Sequence, residues 1–173
     1  MLKLAILRHA KSSWAEPAQA DFDRPLAPRG LQAAPLMGRH MAEIGLQPEL
    51  VLCSPAVRTR ETAALALQAV RVEQPRILFD QAIYEATAEA LFARLQRVPD
   101  AVSTVLLIGH NPGLQDLVLS LAKRPLAKAH GDLEAKLPTA ALVVLEAAVD
   151  TWGDLAPAKC RIIHVMTPRR LTA

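Results

Sequence analysis

Arginine and histidine residues follow directly after predicted strands in three parts of this chain. The three segments read Arg8-His9-Ala10-Lys11-Ser12-Ser13, Ser54-Pro55-Ala56-Val57-Arg58 and Gly109-His110-Asn111-Pro112. Guanidinium groups hold phosphate oxygens in a fixed fork, and the free N–H groups at helix N-termini attract anions. Together the segments predict a site for a phosphoryl group.

His9 is the member of this set that could act as a nucleophile. Neighbouring positive charges disfavour imidazolium, so the pKa of His9 should be lowered and a ring nitrogen should keep its lone pair. A covalent phosphoenzyme divides one difficult displacement into two easier ones. Arg8 and Arg58 would stabilise the charge on the transferring oxygens in both steps.

Most leaving groups also require a general acid, and Glu85 is the carboxylate that we nominate. It follows an aromatic residue and precedes a predicted helix, so it could protonate the leaving group and then activate water. An exposed Glu at such a position could equally do no more than favour the helix N-terminus. Lys11, Ser12 and Asn111 could line the phosphate site, although small polar residues after a strand are common in any turn.

The elements that must position these residues alternate between strands and helices. Strands are predicted over residues 2–7, 50–53, 76–79 and 104–108, helices over 30–44, 55–70, 87–98 and 112–121, and closing β segments, which could be antiparallel, over 140–145 and 161–165. Ser54 and Asn111 are each followed by Pro and are expected to cap their helices, while residues 125–138 predict a surface loop.

This alternation predicts a three-layer α/β/α domain with a mostly parallel sheet and helices on both faces. In such a sheet, ligands bind beyond the carboxyl ends of the strands, which is where the three segments lie. With 173 residues, 51% of them hydrophobic, the chain should form one domain over residues 1–173.

Composition narrows the classes of partner. The net charge of +3 suits an anionic ligand, while the absence of a dense basic run or a helix-turn-helix pattern argues against nucleic acid. No stretch stays apolar for about twenty residues, so we expect no membrane span and a cytoplasmic protein. Cys53 and Cys160 are expected to be buried reduced thiols rather than metal ligands.

The three segments resemble the motifs of the histidine phosphatase superfamily, also called the phosphoglycerate-mutase-like family, and within it the small SixA-like phosphohistidine phosphatases. The resemblance spans roughly residues 2–120. It is carried by Leu7-Arg8-His9-Ala10-Lys11-Ser12, by Ser54-Pro55-Ala56-Val57-Arg58-Thr59-Arg60-Glu61-Thr62-Ala63 and by Gly109-His110-Asn111-Pro112-Gly113, with Asp23-Arg24-Pro25-Leu26 and Arg29-Gly30 as a further match before the first helix.

The resemblance implies that His9 is phosphorylated, that Arg8 and Arg58 grip the phosphoryl group and that His110 hydrogen-bonds the transferring oxygens. It also implies a phosphoglycerate-mutase-like fold with a minimal cap, and a site open to a bulky partner. The wider superfamily usually has Gly where this chain has Ala10, a departure that fits the SixA-like branch and argues against mutase activity.

From this resemblance we expect a phosphatase, without metal or cofactor, that removes phosphate from phosphohistidine in a signalling or phosphocarrier protein. A phosphatase for a small phosphorylated metabolite and a phosphoprotein-binding module without turnover stay as alternatives. A monomer is favoured. His40, His130 and His164 have no motif around them, so we expect structural or surface roles for them.

Overall fold

The computed structural model describes residues 1–70 and 75–173, which contain a six-stranded sheet with the order β3-β2-β4-β1-β5-β6. The strands are β1 (Leu2–Arg8), β2 (Leu50–Cys53), β3 (Arg76–Phe79), β4 (Thr104–Gly109), β5 (Leu142–Ala147) and β6 (Cys160–Met166). Strands β1 to β4 pair in parallel, whereas β5 pairs antiparallel with both β1 and β6. The predicted α/β class, the mostly parallel sheet and the antiparallel closing pair are confirmed.

Helices cover both faces of the sheet. They are α1 (Pro28–Glu43), α2 (Val57–Leu67), α3 (Ala88–Leu95), α4 (Gly113–Leu121) and α5 (Pro168–Thr172). Side chains alternate between faces along a strand, so Leu4 and Ile6 of β1 join one core cluster with residues of α3 and α4, while Ala5 and Leu7 join another with residues of α1 and α2. Burying each large aliphatic side chain in these layers stabilises the fold by about 1.5–3 kcal/mol.

The ends of several helices differ from the prediction. Helix α1 begins at Pro28, two residues before the predicted start, because proline is favoured at the first helical position, and it continues through Pro35. It ends one residue before Ile44, and Gly45 follows with φ of +69°, a conformation that glycine adopts readily. Helices α2 and α3 end at Leu67 and Leu95, earlier than expected.

The two predicted N-caps are wrong. Helix α2 begins after Ala56 and α4 after Pro112, and neither N-cap residue has a side chain that accepts a hydrogen bond from the first turn. Ser54 lies two residues before the N-cap, where its hydroxyl accepts from the N–H of Ala56 at 3.3 Å and also contacts Nε2 of His110. Asn111 lies one residue before its helix cap, although its Oδ1 accepts from the N–H of Gln115 at 3.2 Å.

Residues 125–138, predicted as a surface loop, contain a 3₁₀ segment over Lys128–Glu134. Leu133 and Leu137 of this stretch are buried in the core, so the stretch is anchored rather than free on the surface. Among the described residues, no helix is long and apolar enough to cross a membrane.

Two glycines allow helices to approach the loops of the site closely. A Cβ on Gly30 of α1 would lie 2.2 Å from the carbonyl oxygen of Lys11, and one on Gly113 of α4 would lie 2.0 Å from that of Ala86. Since real Cβ atoms do not approach so near, any side chain at either position would displace the loop that it faces.

Candidate active site

The site forms where three adjacent parallel strands end. Strands β2, β4 and β1 are neighbours, and their registers pair Arg8 with Gly109 and Cys53 with Ile108. The next residue along each strand therefore projects at one edge of the sheet, as expected for an open α/β fold. The structure thereby brings His9 and His110 together, with ring centroids 5.4 Å apart.

His9 is held in one tautomer by the backbone. Its Nδ1 lies 2.7 Å from the carbonyl oxygen of Ala10, which can only accept, so Nδ1 carries the proton and Nε2 keeps the lone pair. Burial, followed by the positive charges of Arg58 and Arg8, lowers the pKa of His9 to about 4 against the opposing effect of the Ala10 carbonyl. His9 is therefore neutral near pH 7, the state that a nucleophile requires.

The loop that carries His9 is fixed from two sides. The N–H of Ala10 donates to Oγ1 of Thr62 at 3.0 Å, and the Thr62 hydroxyl donates to the carbonyl of Arg58 at 2.7 Å. On the other side, the N–H of Ala140 donates to the carbonyl of His9 at 3.0 Å. These bonds tie the His9 loop to helix α2 and to the segment before β5.

Arg58, in the first turn of α2, is buried and donates to three acceptors. Its Nη1 donates to the carbonyl of Asp21 at 2.7 Å, and its Nη2 donates to Oδ2 of Asp21 at 3.0 Å and to Nδ1 of His110 at 3.2 Å. Because an arginine can only donate, Nδ1 of His110 carries the lone pair in this arrangement. The guanidinium is thus fixed beside both histidines.

His110 is buried between Arg58 and the hydroxyl of Ser54. Its Nε2–H donates to Oγ of Ser54 at 2.8 Å. Burial and then the positive charge of Arg58 lower the pKa of His110 to about 3. A serine hydroxyl can accept from or donate to an imidazole, so Ser54 can support either neutral tautomer of His110 when a ligand replaces Arg58 at Nδ1.

Arg8 completes the cationic group. Its Nη1 donates to the carbonyl of Leu137 at 2.9 Å, while its Nε is buried and has no hydrogen-bond partner within residues 1–70 and 75–173. Burial, and then the charge of Arg58, lower the pKa of Arg8. Arg8 and Arg58 are neighbouring guanidinium groups with few carboxylate partners. Such an arrangement favours the binding of an oxyanion between them.

Asp21 is a residue of this site that the sequence reasoning missed. Its carboxylate pairs with Arg58 and with Arg24, whose Nη1 donates to Oδ1 at 3.0 Å. Partial burial acts to raise the pKa of Asp21, but hydrogen bonds from Tyr84 and Arg58 hold it well below its usual value. The lowered pKa of Asp21 favours its anionic form near neutral pH, in which it pairs with the two arginines and is a poor proton donor.

Tyr84 was missed as well, although it directly precedes Glu85. Its hydroxyl donates to Oδ2 of Asp21 at 2.5 Å, and its ring meets that of His110 edge-on at 5.4 Å. Burial and the bond to Asp21 raise the pKa of Tyr84 to about 12. The aromatic ring forms a wall of the site and helps to keep Asp21 in place.

Comparison with known proteins agrees with this geometry. Residues 4–85 match the pattern of the histidine phosphatase superfamily, branch 1. An uncharacterized protein of Mycobacterium tuberculosis is 33% identical over 165 residues, which cover 94% of this chain and 100% of the relative. The chain belongs to the histidine phosphatase superfamily.

Solved structures of this superfamily have the same fold. A candidate phosphohistidine phosphatase SixA from Agrobacterium tumefaciens matches with a TM-score of 0.81 and 27% identity, over 96% of this chain and 98% of that one. A candidate SixA from Nakamurella multipartitia matches with a TM-score of 0.80 and 28% identity, over 96% of each chain. The superfamily and these neighbours support a hydrolytic phosphatase that acts on phosphorylated substrates.

Glu85 lies outside the hydrogen-bonded group of this histidine phosphatase. It is exposed, its φ is +50°, and it lines a groove with residues that include Thr87, Pro112 and Asp116. Within the described part of the chain, its carboxylate forms no ion pair. Its role as the general acid stays a prediction.

The remaining predicted residues take different places. Ser12 is buried and its Oγ accepts from Nη2 of Arg24 at 2.5 Å, whereas Lys11 is exposed. The amide of Asn111 donates to the carbonyl of Leu137 at 3.1 Å, which is also the acceptor for Arg8. Asn111 thus supports the segment that holds Arg8, and a direct contact between Asn111 and substrate stays a prediction.

Proposed function

We propose that this histidine phosphatase removes phosphate from phosphohistidine in a signalling or phosphocarrier protein, through a covalent phosphate on His9. The observation that carries the proposal is the single neutral tautomer of His9, in which Nδ1–H donates to the Ala10 carbonyl and Nε2 is available near the two arginines. A nucleophile, its orienting group and the cations for the transferring oxygens are then all present.

In the first step, the Nε2 lone pair of His9 forms a bond to phosphorus while the bond from phosphorus to the substrate nitrogen breaks. The other nitrogen of the substrate ring already carries a proton, so the electron pair of the broken bond stays on the departing imidazole, which leaves as a neutral ring. Arg8 and Arg58 stabilise the charge on the equatorial oxygens. The Nδ1 of His110 faces Arg58. When the Ser54 hydroxyl donates to Nε2, the proton of His110 is on Nδ1, which can then donate a hydrogen bond to a phosphoryl oxygen.

In the second step, water attacks phosphorus, the bond to Nε2 of His9 breaks, and inorganic phosphate leaves. While phosphate is on Nε2, the Nδ1–H remains bonded to the Ala10 carbonyl, so the ring carries a positive charge and leaves readily as neutral imidazole. The same backbone bond therefore serves both steps, first by orienting the nucleophile and then by keeping the proton on the leaving group.

Phosphohistidine is supported as the substrate because Asp21 is a poor general acid for a leaving group. Asp21 is held as an anion by Tyr84 and Arg58 and cannot protonate an alkoxide. A phosphoramidate with a protonated ring releases neutral imidazole and makes little demand on such an acid. An alkyl phosphate would need Glu85 or another donor to reach the leaving oxygen.

Steady-state kinetics test the proposal. We would measure turnover of a phosphohistidine-bearing protein and of a generic aryl phosphate with wild type, His9→Ala and the half-exposed control His130→Ala, in buffer with chelator. We expect chelator-resistant loss of phosphohistidine, with kcat/KM higher than for the aryl phosphate, in wild type and His130→Ala but not in His9→Ala. Turnover of the aryl phosphate alone would contradict phosphohistidine as the substrate and would favour a phosphatase for small metabolites.

A further inference from the structure

A second cationic feature lies beside the active site. A cleft of about 590 Å³ runs between the first half of α1, the segment 136–139 and helix α5. Four basic side chains line it, and they are Lys11, Arg29, Lys136 and Arg169. The rest of the lining is polar or small and apolar, and it contains no carboxylate: Gln32, Ala33, Leu36, Pro138, Thr139, Thr167, Pro168 and Thr172.

The four basic side chains of this cleft gather positive charge in one place without a carboxylate partner in the part of the chain that the structure describes. All four are exposed, and none forms an ion pair within residues 1–70 and 75–173. Elsewhere among the described residues, five arginines pair with carboxylates: Arg24, Arg58, Arg94, Arg124 and Arg161. Positive charge that is gathered without a counter-charge creates a local field that attracts an anionic partner.

Two lining residues of the cleft are close along the chain to residues of the active site. Lys11 lies two residues after His9, and its carbonyl accepts from the N–H of Ala27 at 2.8 Å just before α1. On the opposite wall, Lys136 precedes Leu137, whose carbonyl accepts from Arg8. A protein whose phosphohistidine enters the site would therefore lay neighbouring residues along this cleft.

We propose that this cleft binds an acidic segment of the phosphorylated protein substrate, next to its phosphohistidine. The inference rests on the proposed function and adds the chemistry of the partner surface. The basic groups are exposed and spread over three segments of the chain, an arrangement that suits several carboxylates along an extended peptide. It does not present the buried, fixed donors that would hold one small anion.

Exposed charge pairs contribute little individually and are screened by salt. Acting together, four of them should favour an acidic peptide about tenfold at low ionic strength, mainly through KM, because they speed encounter and slow release without touching phosphorus. This advantage should shrink as salt is raised toward 0.5 M or so.

The test compares phosphohistidine peptides that differ only in flanking charge. One carries Asp and Glu on either side of the phosphohistidine, and the other carries Asn and Gln at the same positions. We expect wild type to prefer the acidic peptide about tenfold in kcat/KM, and Arg29→Gln/Lys136→Gln/Arg169→Gln to lose that preference while its turnover of aryl phosphate is unchanged.

A matched variant controls for net charge. Arg39, Arg97 and Lys159 are exposed and lie outside the cleft, and Arg39→Gln/Arg97→Gln/Lys159→Gln removes the same charge from the protein. This variant should keep the acidic preference. Equal kcat/KM for the two peptides in wild type, or a preference that survives in the cleft variant, would overturn the proposal.

A binding arm separates this proposal from the proposed function. The unphosphorylated acidic peptide, labelled for fluorescence anisotropy, should bind wild type and the matched control, and should bind the cleft variant at least fivefold or so more weakly at low salt. If the acidic peptide binds in this pattern while no phosphohistidine peptide is hydrolysed, the proposal for the cleft is supported and the proposed function is contradicted. Equal affinity for all three proteins would overturn the cleft.

Discussion

His9 and His110 form one pair of neighbouring histidines in this protein, and His40 and His164 form another. The ring centroids are 5.4 Å apart in the first pair and 5.0 Å in the second. The rings of the first pair are tilted by 51°, whereas those of the second are nearly stacked at 23°. The distance between the two rings is thus similar in both pairs, so the groups around the rings must distinguish the pairs.

In the second pair, the two Nε2 atoms lie 2.7 Å apart, so one must donate its proton to the other and both nitrogens are used. In the first pair, fixed groups take three ring nitrogens, and Nε2 of His9 has no hydrogen-bond partner in the described part of the chain. Two arginines border that nitrogen's ring, and their charges help to keep it neutral.

A lowered pKa does not by itself separate the two pairs. Burial lowers the pKa of His164, with a further effect of His40, as burial lowers that of His9. The distinguishing property of the pair of His9 and His110 is an oriented nitrogen with a lone pair, close to cations that can bind an anion. The following predictions test that distinction.

The largest effect is expected from removing one histidine of each pair. His9→Ala should lower kcat by about 10³-fold or more, because the residual rate would depend on binding and electrostatics alone. His164→Ala should change kcat less than about twofold, because the hydrogen bond of that ring is to His40 and not to a group of the candidate active site. Circular dichroism would confirm folding of both, and comparable losses in the two variants would refute the distinction.

A smaller but still large effect is expected at the arginine beside each pair. Arg58→Gln should lower kcat/KM about 10²–10³-fold, because it removes a positioned donor and charge from the transferring oxygens. Arg170, whose Nη1 donates to the carbonyl of Val165 near the second pair, provides the control. If Arg170→Gln lost as much activity as Arg58→Gln, charge in general rather than its placement would be responsible.

The support of His110 by Ser54 should have an intermediate effect. Ser54→Ala leaves the buried Nε2–H of His110 without its acceptor, at a cost of about 1–3 kcal/mol, and we expect kcat to fall about tenfold with little change in KM. Ser13→Ala, at a half-buried position of the same loop where Oγ accepts from the N–H of Ala15, is the control. A loss of thermal stability with unchanged kcat would show that Ser54 supports the fold alone.

The smallest perturbation is a change of pH, followed by imidazole NMR of the five histidines. The pKa of His9 is lowered to about 4, so the ring gains a proton only as the pH falls toward that value. His9 should therefore stay neutral at pH 5.5, with its proton on Nδ1, whereas a free histidine titrates near pH 6.5. Titration of His9 near pH 6.5, or a proton on Nε2, would contradict the account.

The sheet and the proximity of the three motif segments could be predicted because both follow from the order of strands and helices along the chain. Short apolar runs alternate with helical patterns, and parallel strands place their following residues at one edge. Arg8, His9 and His110 each directly follow or end such a run, and Arg58 lies in the first turn after another. Their proximity therefore needs no knowledge of side-chain packing.

Asp21 and Tyr84 could not be found in this way. Asp21 lies in a long segment with little regular structure, and its bond to Tyr84 spans 63 positions of the sequence. No periodicity encodes such a contact. A usable signal was the single tyrosine of the chain beside Glu85, but a carboxylate was the more obvious acid, and the positive φ of Glu85 was not visible in the sequence.

The central claim is that phosphate passes through His9, and trapping the phosphoenzyme tests it most directly. Wild type, His9→Ala and His164→Ala would be mixed with labelled phosphohistidine protein or aryl phosphate and quenched in alkali within milliseconds. The account predicts up to about one phosphate per chain that is stable in alkali, lost in acid, mapped to His9, present in His164→Ala and absent from His9→Ala. Label that persists in His9→Ala, or that maps to a serine, would contradict it.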